Sequence, residues 1–204
     1  MILYWILLGI IFLSFVTGLI RFKQHSIAGK ILCCLIFSGL INQCIGMYLG
    51  DKTLINYHIF FILQYVLATL FFYYSFSRLE IKIFSLVLLI PVCIAGVINS
   101  VYFQKAHTYP SNFALISHSL FLLYSLLLYI QMINSPIKLN LFKQSIFWSA
   151  TAFLVFPVLM LSSIGLYNYF ERHKLDETYI YMLFYIANYI FYILLGAALW
   201  FDRK

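Results

Sequence analysis

Charge is what this chain has least of. Asp, Glu, Lys and Arg make up 9% of its 204 residues, where a soluble domain carries roughly 25%. That shortage excludes an ordinary soluble fold, and a mean hydropathy of +0.97 agrees. Acidic residues are scarcest. The six are Asp51, Glu80, Glu171, Asp176, Glu177 and Asp202, and none lies inside a long apolar run. Ion-coupled carriers ordinarily work through intramembrane carboxylates, so that class loses ground. Intramembrane hydrolysis lacks its acids for the same reason. The four cysteines, Cys33, Cys34, Cys44 and Cys93, show no C-x-x-C spacing, and a thiol metal or redox centre is not supported. No basic residue precedes the first apolar run and no A-x-A-like site follows it, so that run reads as a retained helix rather than a cleaved signal. Linkers, low-complexity tracts and internal repeats are absent too. The whole of residues 1–204 reads as one domain without a catalytic signature. It is expected to be no enzyme and to need no cofactor.

What is present is apolar length. Runs at about 2–20, 31–50, 54–76, 83–103, 112–133, 145–169 and 178–201 each approach or exceed the ~20 residues that cross a bilayer. They are continuously apolar, as in residues 81–98, where only Lys82 and Ser85 interrupt. A membrane β-barrel would instead alternate apolar and polar residues over ~10 positions. With no water in the bilayer, each segment must satisfy its own backbone, which demands helices. The expected fold is therefore an all-α membrane protein, a seven-helix transmembrane bundle with short loops.

The net charge of +7 belongs to topology rather than to nucleic acid, because no basic domain gathers it. Arg21, Lys23, Lys30, Arg78, Lys82, Lys138, Lys143, Arg203 and Lys204 fall on one face, nine against Lys52, Lys105, Arg172 and Lys174 on the other. Cytoplasmic connections collect Lys and Arg. The amino terminus is expected outside and the carboxyl terminus in the cytoplasm. Helical spans point to a bacterial inner membrane, since outer-membrane proteins are typically barrels. Membrane lipid is then an obligatory partner.

Polar residues within hydrocarbon are costly and are functional candidates by default. Asn42, Gln43, His58, Gln64 and His118 fall in the outer halves of their runs and Asn188 near the middle of the last. The inner halves hold mainly Ser and Thr, whose hydroxyls can bond their own helix. The asymmetry predicts a polar pocket open to the outside above a drier cytoplasmic half, or a set of bonds that only knit helices together. His58 and His118 could hold zinc, but they lie on different helices and no H-x-x-x-H spacing supports a metal site. Pro91 and Pro157, near mid-membrane, are candidate hinges. Ser38, Asn42, Gly46 and Gly50 recur every four residues and predict a close-packed helix face. Tyr181, Tyr185, Asn188 and Tyr192 mark a face of the last helix expected to look inward.

Residues 56–74, NYHIFFILQYVLATLFFYY, resemble the third helix of small seven-transmembrane-helix proteins of Bacteroidetes-type bacteria. That family shows His-Ile-Tyr and, three residues on, an acid followed by an aromatic. Here the positions are His58, Ile59 and Phe60, then Gln64 and Tyr65. Phe147–Trp148 and the close near Trp200 are similar as well. Members are often encoded beside sensor kinases, so the resemblance implies a sensory or accessory role. Gln64 and Phe60 depart from the pattern and leave that site without its titratable groups. The expected function is signal reception: a small or lipid-like ligand bound outside, and output passed to a sensor kinase or other signalling protein. A small-solute transporter or channel is the alternative, and a structural subunit of a membrane complex the next.

Overall fold

The computed structural model describes residues 2–49, 53–104, 108–134, 140–173, 176 and 178–202. Gly50, His107 and the basic residues Lys52, Lys105, Lys138, Lys174, Arg203 and Lys204 lie outside the described residues. Seven helices follow the seven apolar runs: α1 Ile2–Ile20, α2 Ile27–Leu49, α3 Thr53–Ser75, α4 Leu79–Ile98, α5 Ser111–Asn134, α6 Ser145–His173 and α7 Thr178–Phe201. There is no strand among the described residues. All seven are long and apolar enough to cross a membrane, and the chain is an integral membrane protein.

Helix ends fall where polar side chains can take over from the backbone ladder. The Ser75 hydroxyl donates to the Phe71 carbonyl at 2.8 Å near the end of α3. Gln131 then joins that end to α5, its Oε1 accepting from the Ser77 amide at 2.7 Å and its Nε2 donating to the Ser75 carbonyl at 3.3 Å. Pro110 sets the chain for α5, its carbonyl accepting the Ala114 amide. α4 closes through a π-helical turn over Asn99–Phe103. Both prolines lie inside continuous helices, Pro91 in α4 and Pro157 in α6. Pro91 is exposed and Pro157 buried.

Six helices form a ring in the order α1, α2, α3, α5, α6, α7, closed by α7 against α1 and crossed by a contact between α2 and α7. α4 packs outside it on α3 and α5. Only 11% of the most apolar window of α4 is buried, against 50% for α6. Aromatic rings fill the seam between α3, α5, α6 and α7, with Phe71 stacked on Phe153 at 5.6 Å and Phe156 on Phe191 at 4.3 Å. Such pairs add about 0.5–1.5 kcal/mol beyond the area they bury.

The close helix approach seen here involves Gly39, one position along from the expected Ser38 stripe. A Cβ on Gly39 would come within 2.9 Å of Tyr192 Cζ in α7. Ser38 is buried and bonds its own helix through the Leu35 carbonyl at 2.7 Å. The tyrosine face of α7 grades from exposed Tyr181 to buried Tyr192.

Candidate functional site

The connections of the bundle alternate between two ends. α2–α3, α4–α5 and α6–α7 meet at the end that carries His58; α1–α2, α3–α4, α5–α6 and the close of α7 meet at the end that carries Asp202.

At the first end, α3 presents His58 to the α4–α5 connection. Its Nδ1 lies 2.7 Å from Ser100 Oγ in the π turn and its Nε2 lies 2.9 Å from the Thr108 carbonyl. A carbonyl only accepts, so Nε2 carries a proton; the Ser100 hydroxyl beside Nδ1 also donates to the Gly96 carbonyl at 2.9 Å. The same connection is stitched by amides. Asn99 donates to Gln104 Oε1 at 2.9 Å, Gln104 donates to Ser111 Oγ at 2.8 Å, and Asn112 Nδ2 donates to Asn99 Oδ1 at 3.2 Å. Gln104 and Asn112 were not singled out by sequence, because polar residues beside a connection look like ordinary solvated ends. Asn42 meets a partner on the next helix, its Oδ1 accepting from Asn56 Nδ2 at 2.7 Å.

His118 lies seven residues into α5, about 10 Å from that helix end at 1.5 Å per residue. It is fully buried. The rings of Phe61, Phe121 and Phe156 surround it at 6.2, 5.9 and 5.3 Å. Nδ1 sits 2.7 Å from the Ala114 carbonyl and therefore carries the proton. That leaves Nε2 as a bare acceptor, and it has no hydrogen-bond partner among the described residues. A polar group desolvated without a partner costs about 1–3 kcal/mol.

The remaining pocket candidates are placed less closely. Gln64 is buried on α3. Asn188 is half-buried and donates to the Phe184 carbonyl of its own helix at 2.7 Å. Gln43 is joined through its backbone, whose carbonyl accepts the Tyr4 hydroxyl. No hydrogen bond joins two of the six to each other among the described residues. They form separate groups, with Phe61 of α3 reaching the His118 ring.

Comparison with known proteins adds no assignment. No family model, curated protein or solved structure matches the chain. The site is therefore read from its own geometry.

The Asp202 end is built differently. A cleft of 520 Å³ opens between the starts of α2 and α6 and the ends of α3 and α7, bounded by Ser26, Gly29, Tyr74, Ser75, Gln144 and Asp202. The sequence reading expects this half to be drier and more closed; hydroxyls and the Asp202 carboxylate, inconspicuous one at a time, are brought to one mouth here by four helices. Gly29 is required there, since a Cβ would overlap the Asp202 carboxylate and lie 2.7 Å from its Cγ. Among the described residues, no group of three or more His, Cys, Asp or Glu could hold a metal ion.

Proposed function

We propose that this chain is a signal-receiving integral membrane protein. A small or lipid-like ligand enters the His58-end half, near Asn42, Gln43, His58, Gln64, His118 and Asn188, and shifts the packing of the helices. The observation that supports this reading is the buried, unpartnered Nε2 of His118. An aromatic cage with one free acceptor suits an apolar ligand bearing a single hydrogen-bond donor. Pro91 and Pro157 serve as hinges between two arrangements, in the sense that a ligand selects the one it binds better. The excess of basic residues at the other end supports a reading in which that end faces the cytoplasm, the amino terminus lies outside and the membrane is a bacterial inner membrane. The connections between helices are short among the described residues. Output passes to a partner such as a sensor kinase, the role that the third-helix resemblance implies.

Affinity capture from native membranes after mild crosslinking, read by mass spectrometry, tests the reading. Recovery of a kinase or other signalling protein with the wild type, and its loss or altered yield with His118→Leu, supports it. Capture of the chain alone removes the output and sinks it.

The 520 Å³ cleft at the opposite end favours a second reading, a small-solute transporter that exposes polar groups to each side in turn. Solute flux into proteoliposomes, abolished by Gln64→Leu, would decide for it. A structural subunit is the third reading, and in that case variants at the polar positions change stability and no response.

A further inference from the structure

His25 stands in the connection between α1 and α2 with its side chain fully buried. Its Nε2 lies 3.0 Å from the Gly18 carbonyl oxygen. Its Nδ1 lies 3.2 Å from the Asp202 carbonyl oxygen and 3.2 Å from Asp202 Oδ2. All three partners are acceptors. A neutral imidazole offers one N–H and one lone pair, so in that form one nitrogen would face oxygen lone pairs with no proton between them. The carboxylate is itself supplied with donors, as an ionised aspartate requires. The Ser26 amide donates to Oδ2 at 3.0 Å and the Ser26 hydroxyl to Oδ1 at 3.0 Å.

We propose that His25 is held as an imidazolium and that the His25–Asp202 pair is a proton-dependent latch, fastening the end of α7 to the α1–α2 connection at the mouth of the cleft.

The surroundings isolate this pair. The connection itself carries Arg21 and Lys23, α2 carries Lys30, the short turn before α6 carries Lys143, and α7 ends in Asp202. The Arg21 guanidinium is turned to the Trp200 ring at 4.7 Å, and Lys30 lies over Phe22 at 5.7 Å. Among the described residues, Asp202 is the charged group hydrogen-bonded to the imidazole. Neither ring nitrogen of His25 faces a hydroxyl, which could donate or accept as needed; its partners are two backbone carbonyls and a carboxylate. When its Nδ1 proton leaves, a lone pair faces two oxygens and attraction becomes repulsion. Ser26, Gly29 and Asp202 all border the cleft, so parting them widens its mouth. The latch does not depend on whether the protein receives a signal or carries a solute.

The test uses the full chain in detergent micelles with ¹⁵N-labelled histidine, compared with His25→Gln to assign the signal. At about pH 6 the His25 resonances are expected to show both ring nitrogens protonated, and that pattern is expected to be gone by about pH 9. In parallel, hydrogen exchange of residues 22–30, corrected for intrinsic rate, is expected to lose about tenfold protection over the same range. In His25→Gln that protection is expected to be low and independent of pH. A singly protonated His25 at about pH 6 overturns the assignment. An imidazolium accompanied by protection that is constant to about pH 9 overturns the latch. If His25→Gln fails to fold, the His25 signal is assigned instead by replacing the other four histidines one at a time, and the wild-type measurements then decide.

Discussion

The two ends of this bundle solve the burial of polar groups in different ways. At the His58 end, amides and hydroxyls that can donate or accept are paired across helices, as in Asn42 with Asn56 and His58 with Ser100. Such groups adapt to a neighbour's needs; among the described residues, the acceptor on His118 is left without a partner at this end. At the Asp202 end, a carboxylate and an imidazole with fixed demands meet acceptors and donors of matching kind. The first arrangement tolerates rearrangement around a guest. The second is held by charge and changes only when the charge does. A small set of polar residues can thus give a bundle one adaptable end and one switched end.

The comparison is broken most directly at Gly29. An alanine there forces the Asp202 carboxylate off its seat, and Gly29→Ala is expected to lose about 3 kcal/mol, the cost typical of breaking a buried pair. Thermal unfolding in detergent measures it, and a loss below a third of that would mean the carboxylate relocates freely. His58→Ala removes two hydrogen bonds at the other end. At ~0.6 kcal/mol for each bond within a membrane protein, the loss is expected to be about 1.2 kcal/mol, read by the same assay. Removing the orphan should move stability the opposite way. His118→Leu is expected to stabilise the bundle by about 1 kcal/mol, since the unpaired acceptor goes with the imidazole; a loss of stability would show that Nε2 has a partner after all.

Smaller effects sharpen the contrast further. A double-mutant cycle on Asn42→Ala and Asn56→Ala is expected to give a coupling of about 0.6 kcal/mol, visible as non-additive shifts in unfolding. Additive losses would mean that the two amides act separately. At the start of α7, exposed Asp176 accepts from the Thr178 hydroxyl at 2.7 Å and amide at 2.9 Å, and these bonds hold its carboxyl below the ordinary range. A depressed carboxyl contributes above its unfolded value and stops contributing as pH falls through its folded one. Exchange at the Thr178 amide is therefore expected to rise in acid, and Asp176→Asn to blunt that rise.

The helices were legible because membrane insertion leaves little choice: a run such as residues 83–103 can satisfy its backbone only internally. The sequence span and the helix with its π turn end at the same residue, Phe103. The π turn itself left no sequence signal, and α4's place outside the ring could not be read from an apolar run like the others. Polar residues at depth were also legible, and His58, Gln64 and His118 are buried, which fits a pocket and a helix-knitting role alike. Their partners were not, because Ser100 and Thr108 stand 42 and 50 positions from His58. The latch was least legible. His25 and Asp202 both lie outside the apolar runs, 177 positions apart, and only folding brings them together. Gly39 carried no signal of its own in the sequence, and its close approach to α7 is made by where Tyr192 falls.

His25 and Asp202 are separated by 177 positions, and the seam between α1 and α7 spans the same breadth of chain, with Ser14 donating to the Tyr192 carbonyl at 2.8 Å. α1 is synthesised six spans before the helix that completes its surroundings. The carboxylate that meets the α1–α2 connection comes from Asp202, the residue that follows α7, so α1 is held both by its neighbour in sequence and by the helix farthest from it in the described chain.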